Sequence, residues 1–168
     1  PEIKETCEIA LARIKWMQKK AKQNINVEEV YFNSSSYATV DPTPPSRKYK
    51  TIPELKKRLL DTNLSLFKRY RALFSLRDIG GKDAVEALVA ALDDSSALLK
   101  HEIAYVLGQM QHDAAVEGLS KNLGNANEHP MVRHEAAEAL GNIASDKAIP
   151  VLQKHCNDSE RVVRESCF

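Results

Sequence analysis

Three twelve-residue stretches of this chain align without gaps: RYRALFSLRDIG (69–80), KHEIAYVLGQMQ (100–111) and RHEAAEALGNIA (133–144). A fourth, beginning RES (164–166), places Tyr70, His101, His134 and Glu165 at one equivalent position, 31, 33 and 31 residues apart. Each stretch carries the helical pattern of apolar residues, and second helical patterns lie between them at Asp83–Leu92, Ala114–Leu123 and Lys147–Cys156. Turn residues separate the helices: Gly80-Gly81, Asp93-Asp94, Gly124 and Asp158. Paired helices at a fixed period cannot bury an apolar face alone and must stack on their neighbours. The pattern predicts an all-α chain folded as a superhelical α-solenoid.

The period also fits tetratricopeptide and ankyrin repeats, but their Trp/Gly/Tyr and Thr-Pro-Leu-His signatures are absent, and short HEAT-type helical repeats fit better. Residues 2–22 read as one helix, with Ile3, Cys7, Ala10, Leu11 and Ile14 expected on its buried stripe. Its end, Lys19, Lys20 and Lys22, reads as a solvated helix terminus with cations favourable to the macrodipole rather than a nucleic-acid patch. Residues 23–50 read as a polar, extended linker. They hold Ser34-Ser35-Ser36 and then Asp41-Pro42-Thr43-Pro44-Pro45, and prolines at that density exclude helix and sheet interior. Asn33-Ser34-Ser35 matches the glycosylation pattern and is read as a chance match. The segment VVRESC (162–167) resembles EIKETC (2–7), which puts Cys7 and Cys167 at equivalent positions, both expected to be buried. The expected organisation is therefore a last repeat helix of a missing N-terminal half (1–22), a Pro-rich linker (23–50), and a C-terminal repeat half (51–168) cut within its last repeat.

Composition narrows the class. At 168 residues, 43% hydrophobic and 28% charged, the chain has the make-up of a soluble globular protein or short solenoid. No apolar run approaches the ~20 residues of a membrane span, so no membrane partner is expected. Three scattered cysteines suit reduced thiols in a cytoplasmic protein rather than a disulfide framework. Residues 1–58 carry a net +5 and residues 59–168 a net −4. The acidic repeats favour a cationic partner or a metal over nucleic acid.

Two repeats hold His-Glu pairs, His101-Glu102 and His134-Glu135, each followed by a Gly seven residues after the His (Gly108, Gly141). Leu99, Ile103, Val106, Leu107 and Met110 form the expected core stripe of one helix, and Val132, Ala136, Ala139, Leu140 and Ile143 that of the other. His101, Tyr105 and Gly108, like His134, Glu138 and Gly141, fall off those stripes. Stacked helices lie about 8–10 Å apart, so histidines at equivalent positions on neighbours can converge on one ion. With a carboxylate they form the two-His-one-carboxylate set that suits non-haem Fe(II) and leaves positions open for dioxygen. Neighbouring residues of a helix point about 100° apart, so Glu102 need not share the ion of His101. A helical Gly costs roughly 1 kcal/mol relative to Ala, so its recurrence suggests that something approaches the backbone there. An ordinary surface histidine is the competing explanation, but Tyr70-Arg71 and Glu165-Ser166 in the outer repeats argue against a mere consensus position. His112, His129 and His155 fall in loops or at helix ends and receive no role.

SALLKHEIAYVLGQMQ, PMVRHEAAEALG, DSERVVRESC, RYRALFSLR and YATVDPTPP together resemble the deoxyhypusine hydroxylase family, in its C-terminal half and inter-half linker. The resemblance implies a HEAT-repeat di-iron monooxygenase with four His-Glu motifs, of which this chain carries two. It implies iron as cofactor, two per full-length enzyme, with dioxygen as co-substrate. It implies that His101, Glu102 and His134 are iron ligands and that Glu135 joins the metal centre or the substrate pocket, where it anchors a cationic side chain beside Met131, Gly108 and Gly141. The implied substrate is the deoxyhypusine side chain of the hypusine-carrying translation factor. The implied partners are that factor and the missing N-terminal half, with this half inactive alone. Two copies of the fragment facing each other as a metal-dependent homodimer are a further expectation. The alternatives are a non-catalytic HEAT scaffold that binds a protein on its concave face and, more remotely, a phycobilin-lyase-like repeat protein.

Overall fold

The computed structural model describes residues 1–23, 25, 37, 39–46 and 48–167. The described residues hold helices and no strand, and they divide into two compact units, Pro1–Ile79 and Gly80–Phe168. The first unit contains α1 (Glu2–Ala21), α2 (Ile52–Leu60) and α3 (Leu66–Ile79). The second contains α4 (Gly81–Val89), α5 (Ala97–Met110), a 3-10 turn (Asp113–Ala115) leading into α6 (Val116–Gly124), α7 (Pro130–Ile143), α8 (Ile149–His155) and α9 (Arg161–Ser166). The all-α repeat pattern expected from the sequence is the pattern found. The Asn33-Ser34-Ser35 match and the serine run lie outside the described residues.

In the first unit α1 and α2 pack on α3. Leu55 and Leu59 of α2 and Tyr70, Leu73, Phe74 and Leu76 of α3 are fully buried. The orientation of α1 differs from expectation. Its buried residue is Ile9, and Ala12, Arg13, Trp16 and Met17 are half-buried, whereas Ile3, Cys7, Ala10, Leu11 and Ile14 face outward. Both rows are apolar, so periodicity cannot choose between them. The row with Trp16 meets α3, where the Arg71 guanidinium lies 5.5 Å from the indole centroid and gains a cation–π contact. Cys7 is accordingly exposed. Cys167 is buried, and burial pushes its thiol up to about 11, so the two cysteines are not equivalent in environment.

Within the proline-rich segment, residues 39–46 form neither helix nor strand, and they are packed rather than solvated: Asp41, Thr43, Pro44 and Pro45 are buried. Arg77 donates to both carboxylate oxygens of Asp41 at 2.9 and 2.7 Å. Arg71 donates to the carbonyls of Pro44 and Pro45 at 3.1 and 3.0 Å. The Ser46 N–H donates to Ser75 Oγ at 2.7 Å. Proline offers a carbonyl and no N–H, so a strap of prolines can be buried if one helix supplies donors. Arg71 and Arg77 of α3 supply them.

In the second unit α5 packs on α7, α7 is also met by α6, α8 and α9, and α4 leans on α5. The expected core stripes are buried: Leu99, Ile103, Val106 and Leu107 on α5, and Val132, Ala136, Ala139, Leu140 and Ile143 on α7, while Met110 is half-buried. Two local devices recur at the repeat spacing. Asp61, Asp94, Asn125 and Asp158 each accept, through the side chain, from the backbone N–H two residues on, which turns the chain into the next first helix. The first helices end in positive-φ residues at one repeat position, Gly80 (φ 71°), Gln111 (φ 48°) and Ala144 (φ 53°), of which Gln111 and Ala144 are left-handed caps.

Candidate metal centre

The site is built from the first turns of α5 and α7. Ser96 caps α5 by accepting from the Leu99 N–H at 3.1 Å, and His129 caps α7 through Nδ1, accepting from the Met131 N–H at 3.2 Å. The residue before each His-Glu pair is a cation that pins its helix. Lys100 donates to both oxygens of Glu128 at 2.7 and 2.6 Å. Arg133 is buried; its Nε donates to the Leu123 carbonyl at 2.9 Å and its guanidinium pairs with Asp158. That pairing holds the Asp158 carboxyl well below the usual carboxylate range. Arg69 repeats the first of these bonds in the other unit, Nε to the Leu59 carbonyl at 2.7 Å. With the helices fixed in rotation, the next two residues of α5 and α7 have little choice of direction.

His101 Nε2 lies 3.1 Å from Glu135 Oε2, so the two pairs meet across α5 and α7. Glu135 is the more enclosed partner, its side chain only 8% exposed against 26% for His101. The hydrogen bond that His101 donates to Glu135 raises the His101 pKa; burial opposes this, and the charges of Glu135, Glu102 and Glu138 add to the rise. His134 reaches the equivalent position of the following repeat. Its Nδ1 lies 2.6 Å from Ser166 Oγ on α9 and 3.6 Å from Glu138 Oε1. His134, Glu135 and Glu138 each bring a ligand atom within 4.8 Å of the others, a spacing that one ion spans. Glu135 is therefore the shared carboxylate between His101 on one side and His134 with Glu138 on the other.

Of the four residues of the two His-Glu pairs, Glu135 is the one that is buried, so it lies within the packing rather than clear of it. Glu102 is half-buried and acts on His101 through charge. Met131 is half exposed at the start of α7. The two glycines differ. A Cβ on Gly108 would stand 3.0 Å from Ala139 Cα, so what approaches that backbone is α7 itself, whereas a Cβ on Gly141 would meet nothing within 4 Å. Sequence reasoning missed Glu138 and Ser166 as site residues. Glu138 had a signal, one turn after His134 on the same face. Ser166 had one too: it holds the repeat position of Glu102 and Glu135. The histidines left without a role are caps and links. His112 Nδ1 accepts from the Ala114 N–H, and His155 meets Asp158 at 3.2 Å.

A family model described as HEAT repeats matches residues 52–128 and again 92–168. The chain belongs to the HEAT-repeat family. This HEAT chain is 50% identical over 166 residues to deoxyhypusine hydroxylase of Xenopus laevis, covering 99% of the chain and 52% of that protein. It is 51% identical over 166 residues to the protein of the same name from Arabidopsis thaliana, again covering 99% of the chain. Among solved structures, human deoxyhypusine hydroxylase in complex with glycerol superposes with a TM-score of 0.88 at 46% identity, covering 97% of this chain and 54% of that one. The chain spans about half the length of the curated relatives it matches. No helix among the described residues is long and apolar enough to cross a membrane.

Proposed function

We propose that this chain forms one half of an iron-dependent, O2-using deoxyhypusine hydroxylase. The observation that carries the reading is the shared Glu135, which joins the two sequence-predicted pairs into one constellation of His101, His134, Glu135 and Glu138. Two imidazoles and several carboxylates are the donor types that suit divalent iron, and the charge around His101 is net negative, so the residues fit the ion. Bound there, iron would supply the activation of dioxygen that hydroxylation of an unactivated C–H bond requires. The chain's own residues do the rest. His101, Glu102 and His134 hold the ion, with Glu135 between ligation and substrate. Because Glu135 is buried, its charge acts at low dielectric on a cationic side chain brought to the mouth of the site, where Met131 lies exposed. Lys100 and Arg133 keep both helices in the rotation that makes these side chains converge.

The partner in this reading is the deoxyhypusine-bearing translation factor, in the cytoplasm, and the second half of the enzyme supplies the other iron ligands. The isolated chain is inactive, and a metal-dependent homodimer is the arrangement in which it would approximate the whole site. The test is iron analysis and hydroxylation assay of a two-half enzyme carrying this chain. His101→Ala and His134→Ala are expected to lose bound iron and product together. Glu135→Ala is expected to keep iron and weaken binding of the deoxyhypusine protein. Undiminished iron and turnover in both histidine variants would overturn the proposal.

A further inference from the structure

The two histidines of the site are held by chemically different neighbours. His101 gives its Nε2 to the Glu135 carboxylate. His134 gives its Nδ1 to the Ser166 hydroxyl at 2.6 Å. Ser166 in turn donates to the Val162 carbonyl, one turn back in α9, at 2.8 Å. A serine has one hydrogen to give. Once it is committed to Val162, the oxygen can only accept from His134. The other group beside Nδ1 is Glu138, whose carboxylate is an acceptor as well. Both neighbours of that nitrogen therefore ask for a hydrogen on it.

We propose that Ser166 is a positioning residue for His134, fixing the Nδ1–H tautomer and the ring direction so that the Nε2 lone pair is left for a divalent cation. The repeat register gives the reason for a serine. Position 166 is that of Glu102 and Glu135, and a carboxylate there would hold His134 as Glu135 holds His101, with a strong anionic acceptor. A hydroxyl accepts the same hydrogen without adding charge. His134 is thereby the histidine ready to ligate, and His101 the one that must first exchange Glu135 for the ion. A hydrogen-bonded partner on the far nitrogen is the usual means by which a protein orients an imidazole ligand.

The inference rests on the metal-binding reading above, and the test separates the two. Long-range 1H–15N spectra of the full chain, without metal and in mildly alkaline buffer, report the tautomer of each histidine directly. Wild type is expected to show His134 as Nδ1–H. Ser166→Ala is expected to lose that preference, and Ser166→Thr, which keeps the hydroxyl, to retain it. Alanine is the better helix former, so α9 is not weakened by the change, and the His112 and His129 signals monitor the fold. In a Co(II) titration Ser166→Ala is expected to bind about 10-fold more weakly than wild type, with Ser166→Thr close to wild type. An Nε2–H tautomer for wild-type His134 would overturn the role of Ser166, as would a Ser166→Ala chain with unchanged tautomer and unchanged Co(II) affinity. Failure of every form to bind Co(II), with the tautomers as expected, would instead count against the metal reading and leave the orientation by Ser166 standing.

Discussion

The helices α5 and α7 are copies of one pattern, and they are used differently. Both start with a side-chain cap, a cation and a His-Glu pair, and both end in a left-handed residue. On α5 the cation Lys100 reaches Glu128, the His meets the buried carboxylate of the following repeat, and Gly108 is pressed against Ala139. On α7 the cation Arg133 is buried against Leu123 and Asp158, the His meets a neutral hydroxyl, and Gly141 faces open space. The lesson is that a solenoid residue takes its role from the next repeat as much as from its own. α5 is followed by a full-length helix carrying Glu135. The next first helix after α7 is α9, which carries Ser166 at the position of Glu135.

The largest contrast is expected at the pinning cations. Arg133→Ala removes the buried guanidinium's bonds to the Leu123 carbonyl and to Asp158, leaving that carboxylate with His155 and the Glu160 N–H, and is expected to cost about 3 kcal/mol. Lys100→Ala removes two hydrogen bonds to Glu128 and no anchor to a backbone carbonyl, and is expected to cost clearly less. Urea denaturation of both variants reads the difference, and equal losses would erase the distinction drawn between the two helices.

Next come the glycines. Gly108→Ala forces a methyl to within 3.0 Å of Ala139 Cα, and overpacking of this kind is expected to cost about 1–3 kcal/mol. Gly141→Ala adds a methyl in free space within a helix and is expected to stabilise by up to about 1 kcal/mol. Opposite signs in thermal melts support the contrast; a destabilised Gly141→Ala would place an undetected neighbour there.

Acid gives a further separation. The folded-state pKa of Asp158 is lowered, chiefly by its hydrogen bonds from Arg133. Its contribution is therefore present above the ordinary carboxylate range and lost as the pH falls through that range toward the folded value. Asp158→Asn is expected to be less stable near neutrality and to lose less on acidification. An acid limb of unchanged steepness in that variant would mean that Asp158 does not set it.

The smallest effect is expected at the left-handed caps. Ala144 pays for its φ of 53° with steric strain that glycine lacks, so Ala144→Gly is expected to gain about 0.5–1 kcal/mol. Gln111→Gly is expected to gain less, because it also discards the hydrogen bond from Gln111 Nε2 to the Asn142 carbonyl at 2.9 Å. Calorimetry of the two variants ranks them.

Much of the fold was legible. The core stripes of α5 and α7 were readable because a helix with one apolar face has one way to be buried. The stripe of α1 was misread because that helix has two, and the choice fell to Arg71 and Trp16, far apart in sequence. That 39–46 forms neither helix nor strand was readable from its prolines, but its burial depends on Arg71 and Arg77, which no local pattern connects to it. Within the site, the two His-Glu pairs stood out by spacing. Glu138 and Ser166 did not, because a glutamate or serine on a helix surface is ordinary until a neighbour makes it otherwise.

The sequence by itself determined the repeat, the helices that compose it and the residues that share a level along them. These follow from periodicity and turn chemistry, which act over a few residues and so are written locally. Only the tertiary structure decided which level-mates touch. It paired His101 with Glu135 and His134 with Ser166, buried Glu135 while leaving Glu138 exposed, and set α7 against Gly108. Those outcomes depend on helix rotation and separation to within an ångström or two. Packing and the buried cations that pin each helix fix these values, and the repeat alone does not.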